Sequence, residues 1–167
     1  VAGGNDVGGG ATDELAMMLI STETAETSTA SPVRLHLDTA RTFHSATMLD
    51  DGRVLIAGGL DAGGNPLNST EIFDPQTRLS TPGPDLLAAR AKHAAVRLSS
   101  GDVVFVGGMG TGGSVLGSTE IHQFVPIANP PLPELPNQAG PDLQVPQIMP
   151  CAHLLPDQRL LIAGGTD

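Results

Sequence analysis

Two histidines in this 167-residue chain stand at matching places, in Arg41-Thr42-Phe43-His44-Ser45 and in Arg90-Ala91-Lys92-His93-Ala94. Imidazoles at equal heights on neighbouring structural units could ligate a metal. They also recur simply because the sequence around them recurs, and a structural role is the expectation, since a third copy has Pro150 at that place. The loops Asn5-Asp6-Val7-Gly8-Gly9-Gly10 and Asp61-Ala62-Gly63-Gly64-Asn65 have the glycine-aspartate composition of calcium-binding β-rolls. Those rolls repeat every nine residues or so, whereas these loops lie about 50 apart, so turn formation is the better account. His36, His122 and His153 have no counterparts in the other copies and no acidic partner at a ligand spacing. There is no Ser-His-Asp constellation and no phosphate-binding glycine loop between a strand and a helix. The single cysteine, Cys151, cannot close an internal disulfide; it matches Ser45 in the repeat and reads as a buried structural thiol. No catalytic residue, metal ligand or cofactor is therefore assigned within this span.

The elements that would position these residues are legible from four apolar runs that each end in a double glycine: Val1 to Gly4, Val54 to Gly59, Val103 to Gly108 and Leu160 to Gly165. Their first glycines are 55, 49 and 57 residues apart. One strand-like run per period of about 50 marks a repeat whose unit is a small sheet. Asp51-Gly52 and Ser100-Gly101 lie between two apolar runs at the spacing of a tight hairpin, where glycine supplies a positive φ, and a primed turn is expected. Val54 to Ala57 is apolar on consecutive residues, which predicts burial on both faces. After each double glycine come a glycine-rich loop and then Ser69-Thr70-Glu71-Ile72 or Ser118-Thr119-Glu120-Ile121. Each period thus holds about four short strands, and no segment reads as a convincing helix.

These motifs resemble kelch repeats of the bacterial kind: a histidine-bearing strand, an Asp-Gly turn, an apolar strand ending in Gly-Gly, a Ser-Thr-Glu strand and an Asp-Pro turn such as Asp74-Pro75. Residues 41 to 79 match almost throughout and 90 to 124 match well, while both ends are weaker. Asp13-Glu14-Leu15 stands for the Ser-Thr-Glu strand in the first period, and Pro156-Asp157-Gln158-Arg159 for the hairpin turn in the last. The resemblance implies an all-β fold, a kelch-type β-propeller fragment of about three and a half four-stranded blades. Its blades would span 1–38 (incomplete), 39–89, 90–140 and 141–167 (incomplete). Kelch blades usually carry a tyrosine and a tryptophan, and this chain has neither. Phe73 and Phe124 are expected to take the tyrosine role and Leu79 the tryptophan role, with looser packing between blades.

The resemblance also implies function. Most kelch propellers are binding modules whose contact face is built by loops before the first strand and after the second. The matching positions are Arg41, Arg90, Asp61 and Asn65, which are expected to bind ligand. The arginines are expected to point towards that face; the competing reading pairs them with a neighbouring blade's carboxylate such as Glu71. Galactose oxidase and its relatives are the enzymatic branch, using copper with tyrosine and histidine ligands. A chain without tyrosine cannot supply that site, so a fragment of such a secreted enzyme, with its ligands elsewhere, is the alternative to a binding scaffold for a protein or a glycan.

Composition bounds the partners. A net charge of −10 with only eight Lys and Arg makes a nucleic-acid backbone an unfavourable partner. No apolar stretch reaches the length of a membrane span. Residues 21 to 32 read as a solvated turn or weak outer strand, and 126 to 150, with eight prolines, as an extended connection between blades. A ring of four to eight blades needs more residues than these, so we expect a piece of a longer protein that pairs with the remaining blades of its parent or self-associates.

Overall fold

The structure is a computed structural model that describes residues 2–5, 10–15, 35–125 and 133–166. The expected strand within 21 to 32 lies outside the described residues. Among the described residues, thirteen strands make four antiparallel sheets. β1 (Ala2–Asn5), β2 (Ala11–Leu15) and β3 (Leu35–His36) form the first. β4 (Ser45–Met48), β5 (Val54–Ala57), β6 (Thr70–Asp74) and β7 (Leu79–Pro82) form the second, in chain order. The third repeats that order with β8 (Ala94–Arg97), β9 (Val103–Val106), β10 (Thr119–His122) and the two-residue β11 (Gln138–Ala139). β12 (Cys151–Leu154) and β13 (Leu160–Ala163) pair as a hairpin. One 3-10 turn, Thr111–Gly113, is the only helical element among the described residues.

The hairpins are not primed two-residue turns. Gly52 N–H donates to Leu49 O (3.1 Å) and Leu49 N–H to Arg53 O (2.8 Å), leaving a three-residue loop whose last member, Gly52, has φ +88°. Such a loop combines an ordinary turn with a left-handed residue. The same pattern closes Leu98 to Asp102 and Leu155 to Arg159, and in the last of these Gln158 takes the left-handed position at φ +68°.

The first strands of successive sheets, β4, β8 and β12, pack side by side, and the sheets fan outward from them as propeller blades. β5 and β9 are covered on both sides, as their unbroken apolar sequence requires: Leu55, Ile56, Ala57, Val103 and Phe105 are fully buried. Each large side chain so buried contributes about 1.5–3 kcal/mol. Leu49, Leu55, Ile72, Leu86, Val103 and Phe105 make one cluster between the two complete sheets, with Phe124 against it. Phe73 closes a second cluster with Leu37 and Ile56. Leu79 is 63% exposed on the outermost strand and does not replace a buried tryptophan. Cys151 is likewise exposed, contrary to expectation. Its counterpart Ser45 is held by a ring nitrogen of His93 on the next sheet, whereas no such neighbour is described over Cys151.

Candidate functional site

Where one blade meets the next, the same three main-chain bonds recur. Between the second and third sheets, Gly59 N–H donates to Arg90 O (2.9 Å), Arg90 N–H to Leu67 O (3.1 Å) and Lys92 N–H to Phe43 O (2.9 Å). Between the third and fourth, Gly108, Gln147 and Met149 donate in the same way to Gln147 O, Leu116 O and Lys92 O, at 2.7, 3.2 and 2.8 Å. These bonds demand an unusual backbone. Phe43, Lys92 and Met149 all adopt left-handed conformations, with φ of 54°, 54° and 57°. Each such residue costs about 1–2 kcal/mol in strain, which the bonds between blades offset.

The arginines have a different task from the one expected of them. Arg41 and Arg90 are completely buried and do not reach the propeller face. The Arg41 guanidinium donates to Gly58 O (2.8 Å), Ser69 O (3.0 Å), Ser69 Oγ (3.2 Å) and Glu71 Oε1 (2.8 Å). Arg90 makes the same four bonds to Gly107 O, Ser118 O, Ser118 Oγ and Glu120 Oε1. The planar fork thus ties the end of a blade's second strand to the start of its third. The carboxylates complete the tie: Glu71 accepts from Asp38 N–H and Thr39 N–H, and Glu120 from Leu87 N–H and Ala88 N–H. Each Arg–Glu pair therefore fastens the connection arriving from the previous blade. The competing reading of these arginines is met in the pairing with a carboxylate but corrected in its place: Glu71 and Glu120 belong to the arginine's own sheet and not to a neighbouring blade.

Asp61 and Asn65 do lie in an exposed loop, yet they are turned towards each other. Asp61 accepts from Gly63 N–H (2.8 Å), Asn65 N–H (2.8 Å) and Asn65 Nδ2 (3.2 Å). The Asn65 bonds, first among these, hold the Asp61 carboxyl below the usual carboxylate range. His36, for which spacing gave no acidic partner, stands 3.1 Å from Asp13 Oδ2 across the first sheet. His122 is buried beside Asn137 Oδ1 at 3.2 Å.

At the axis the structure sets the equivalent positions His44, His93 and Pro150 together with the residues just before them. Phe43, His44, Lys92, His93, Met149 and Pro150, two from each of three blades, line an open cavity of about 290 Å³. The Lys92 ammonium sits 5.0 Å from the centre of the Phe43 ring, within cation–π range. His93 Nε2 is 2.9 Å from Ser45 Oγ, and its ring meets Phe105 edge-on at 5.7 Å. Burial, with the Arg90 and His44 charges beside it, pushes the His93 pKa down to about 3, so this imidazole is neutral near pH 7. Among the described residues, no group of three or more His, Cys, Asp or Glu side chains is placed to hold a metal ion. No helix there is long and apolar enough to cross a membrane.

Comparison with known proteins agrees with this geometry. The family model of the kelch motif matches residues 41–87. The match starts at the buried Arg41, runs through the Glu71 tie and ends beyond Leu86 in the connection to the next blade. Among solved structures, YjhT, a kelch-type propeller protein, superposes with a TM-score of 0.67 at 15% sequence identity. The alignment covers 81% of this chain and 47% of YjhT, so the chain spans about half the length of that relative. No curated protein matches the chain. The fold is that of a kelch-type propeller, all-β and without an α-helix among the described residues.

Proposed function

We propose that this kelch-repeat scaffold is a binding module that recognises a protein or a glycan through the propeller face around its axis. One observation carries the reading. The buried frame, Arg41 with Glu71 and Arg90 with Glu120, repeats bond for bond, whereas the residue three blades present at the strained axial position differs each time: Phe43, Lys92 and Met149. Phe43 and Met149 are exposed there. A repeat that keeps its frame and varies what it displays suits recognition, in the way loops on a rigid scaffold do. Asp61 and Asn65 extend the same face as a braced rim. Arg41 and Arg90 serve the site by fixing the backbone beneath it, and residues 39–89 and 90–140 are taken as the two complete units.

The test is binding of the chain to a glycan array and to a displayed peptide library, alongside the triple variant F43S/K92S/M149S. The reading expects ligands that the variant loses while its thermal melt stays within a few degrees of the parent. Ligands that bind the variant unchanged, or none in either collection, overturn it.

A further inference from the structure

Lys92 is the only lysine in the chain, and it lies at the propeller axis. The other residues of its cavity are two aromatic or apolar side chains, Phe43 and Met149, a proline, and two histidines. None is acidic, in a protein whose net charge is −10. Among the described residues that line this hollow, which is about as polar as it is apolar, Lys92 supplies an ammonium and no side chain is acidic, so a single negative charge is favoured there and a second finds no further lysine or arginine in the lining. The Phe43 ring holds the ammonium against one wall, which limits the freedom Lys92 would lose on binding. At about 290 Å³ the cavity lies at the small end of ligand sites.

We propose that this axial cavity binds a small organic monocarboxylate, its charged head on the Lys92 ammonium and its apolar body against Phe43, Met149 and Pro150. This rests on the reading of the axial face as the recognition face and narrows its ligand chemistry. Recognition is by charge and apolar fit together, so an amide of the same shape and a purely inorganic anion are both poorer ligands. Neutral His93 forms a wall and adds no charge.

A sole lysine makes the test direct. Reductive methylation with ¹³C-formaldehyde keeps the charge and labels one side chain, Lys92, besides the terminal amine. Titration with benzoate and with 4-methylpentanoate is expected to move the Lys92 methyl resonance saturably, whereas benzamide, 4-methylpentanamide and inorganic phosphate leave it at least tenfold less affected at equal concentration. Calorimetry of unlabelled protein is expected to show carboxylate affinity reduced tenfold or more in Lys92→Met, largely kept in Lys92→Arg, and unchanged in the distant Arg159→Ala. Equal response to the amides or to phosphate, or equal weakening in Arg159→Ala, overturns the proposal. If the carboxylates fail while array or library ligands remain sensitive to F43S/K92S/M149S, this inference falls and the scaffold reading stands. If the carboxylates bind as expected and no larger ligand is found, the converse holds.

Discussion

The backbone carbonyl of Arg90 occupies the space that a Cβ on Gly58 would need, so the end of one blade's second strand and the start of the next blade are in direct main-chain contact. Gly107 stands in the same relation to Gln147 O, which would lie 2.6 Å from its Cβ. The double glycine is therefore a joint between blades as well as a strand terminator.

Replacing Gly58 or Gly107 with valine is expected to cost at least about 3 kcal/mol, from collision with the next blade added to strain at φ of +62° and +60°. Gly63 is the control, since its φ is ordinary and its nearest neighbours are loop side chains, and valine there is expected to cost about 1 kcal/mol or less. Gly113 is a poorer control because its φ is +80°. Gly164, with φ +70° and nothing near its Cβ, isolates the strain alone and should fall between the two classes. Urea denaturation measures all four; equal losses at Gly58 and Gly63 would show that the joint has been misread.

The buried Arg41–Glu71 pair, 2.8 Å apart with both side chains almost inaccessible, predicts strong coupling. Arg41→Met and Glu71→Gln are each expected to cost about 3–5 kcal/mol, because each leaves a charge without its partner in the interior. The double variant is expected to lose clearly less than the two combined, by about 1 kcal/mol or more. Strict additivity in a double-mutant cycle on the unfolding free energies would contradict the tie.

His93 predicts an acid-side loss of stability. Its folded pKa of about 3 lies below the ordinary histidine value of 6.5, so well above pH 6.5 the folded and unfolded chains are both neutral there and the group has no effect. As pH falls from 6.5 towards 3, only the unfolded chain takes up the proton, and stability drops by up to about 1.4 kcal/mol per pH unit. The difference in unfolding free energy between the parent and His93→Gln is expected to narrow across that window. A difference that stays constant from pH 7 to pH 4 would mean that His93 takes up its proton alike in the folded and unfolded chains.

β5 and β9 are covered on both sides, while β13 alternates between half-buried and exposed residues and leaves Leu161 51% exposed. An apolar strand open along one face is expected to draw the 167-residue chain into self-association or to leave it only marginally stable. Sedimentation velocity across a hundredfold range of concentration checks this. A concentration-independent monomer with one cooperative unfolding transition would be the opposite result.

The repeat, the all-β class and the burial of the middle strands were legible in the residues themselves, because glycine, turn chemistry and unbroken apolar runs act through local backbone geometry and leave a periodic trace. The equivalence of His44 and His93 was legible for the same reason, and the structure sets both in the lining of the axial cavity. Arg41 and Arg90 were misjudged as face residues: their position before a strand is visible in sequence, but the three carbonyl and hydroxyl acceptors and one carboxylate that enclose each guanidinium come from residues 17 to 30 positions away. Cys151 was expected to be buried by analogy with Ser45, yet burial depends on what the neighbouring sheet lays over a strand. The axial cavity was invisible for a deeper reason. Phe43, Lys92 and Met149 share no side-chain chemistry, and only the stacking of three blades puts their equivalent backbone positions around one axis.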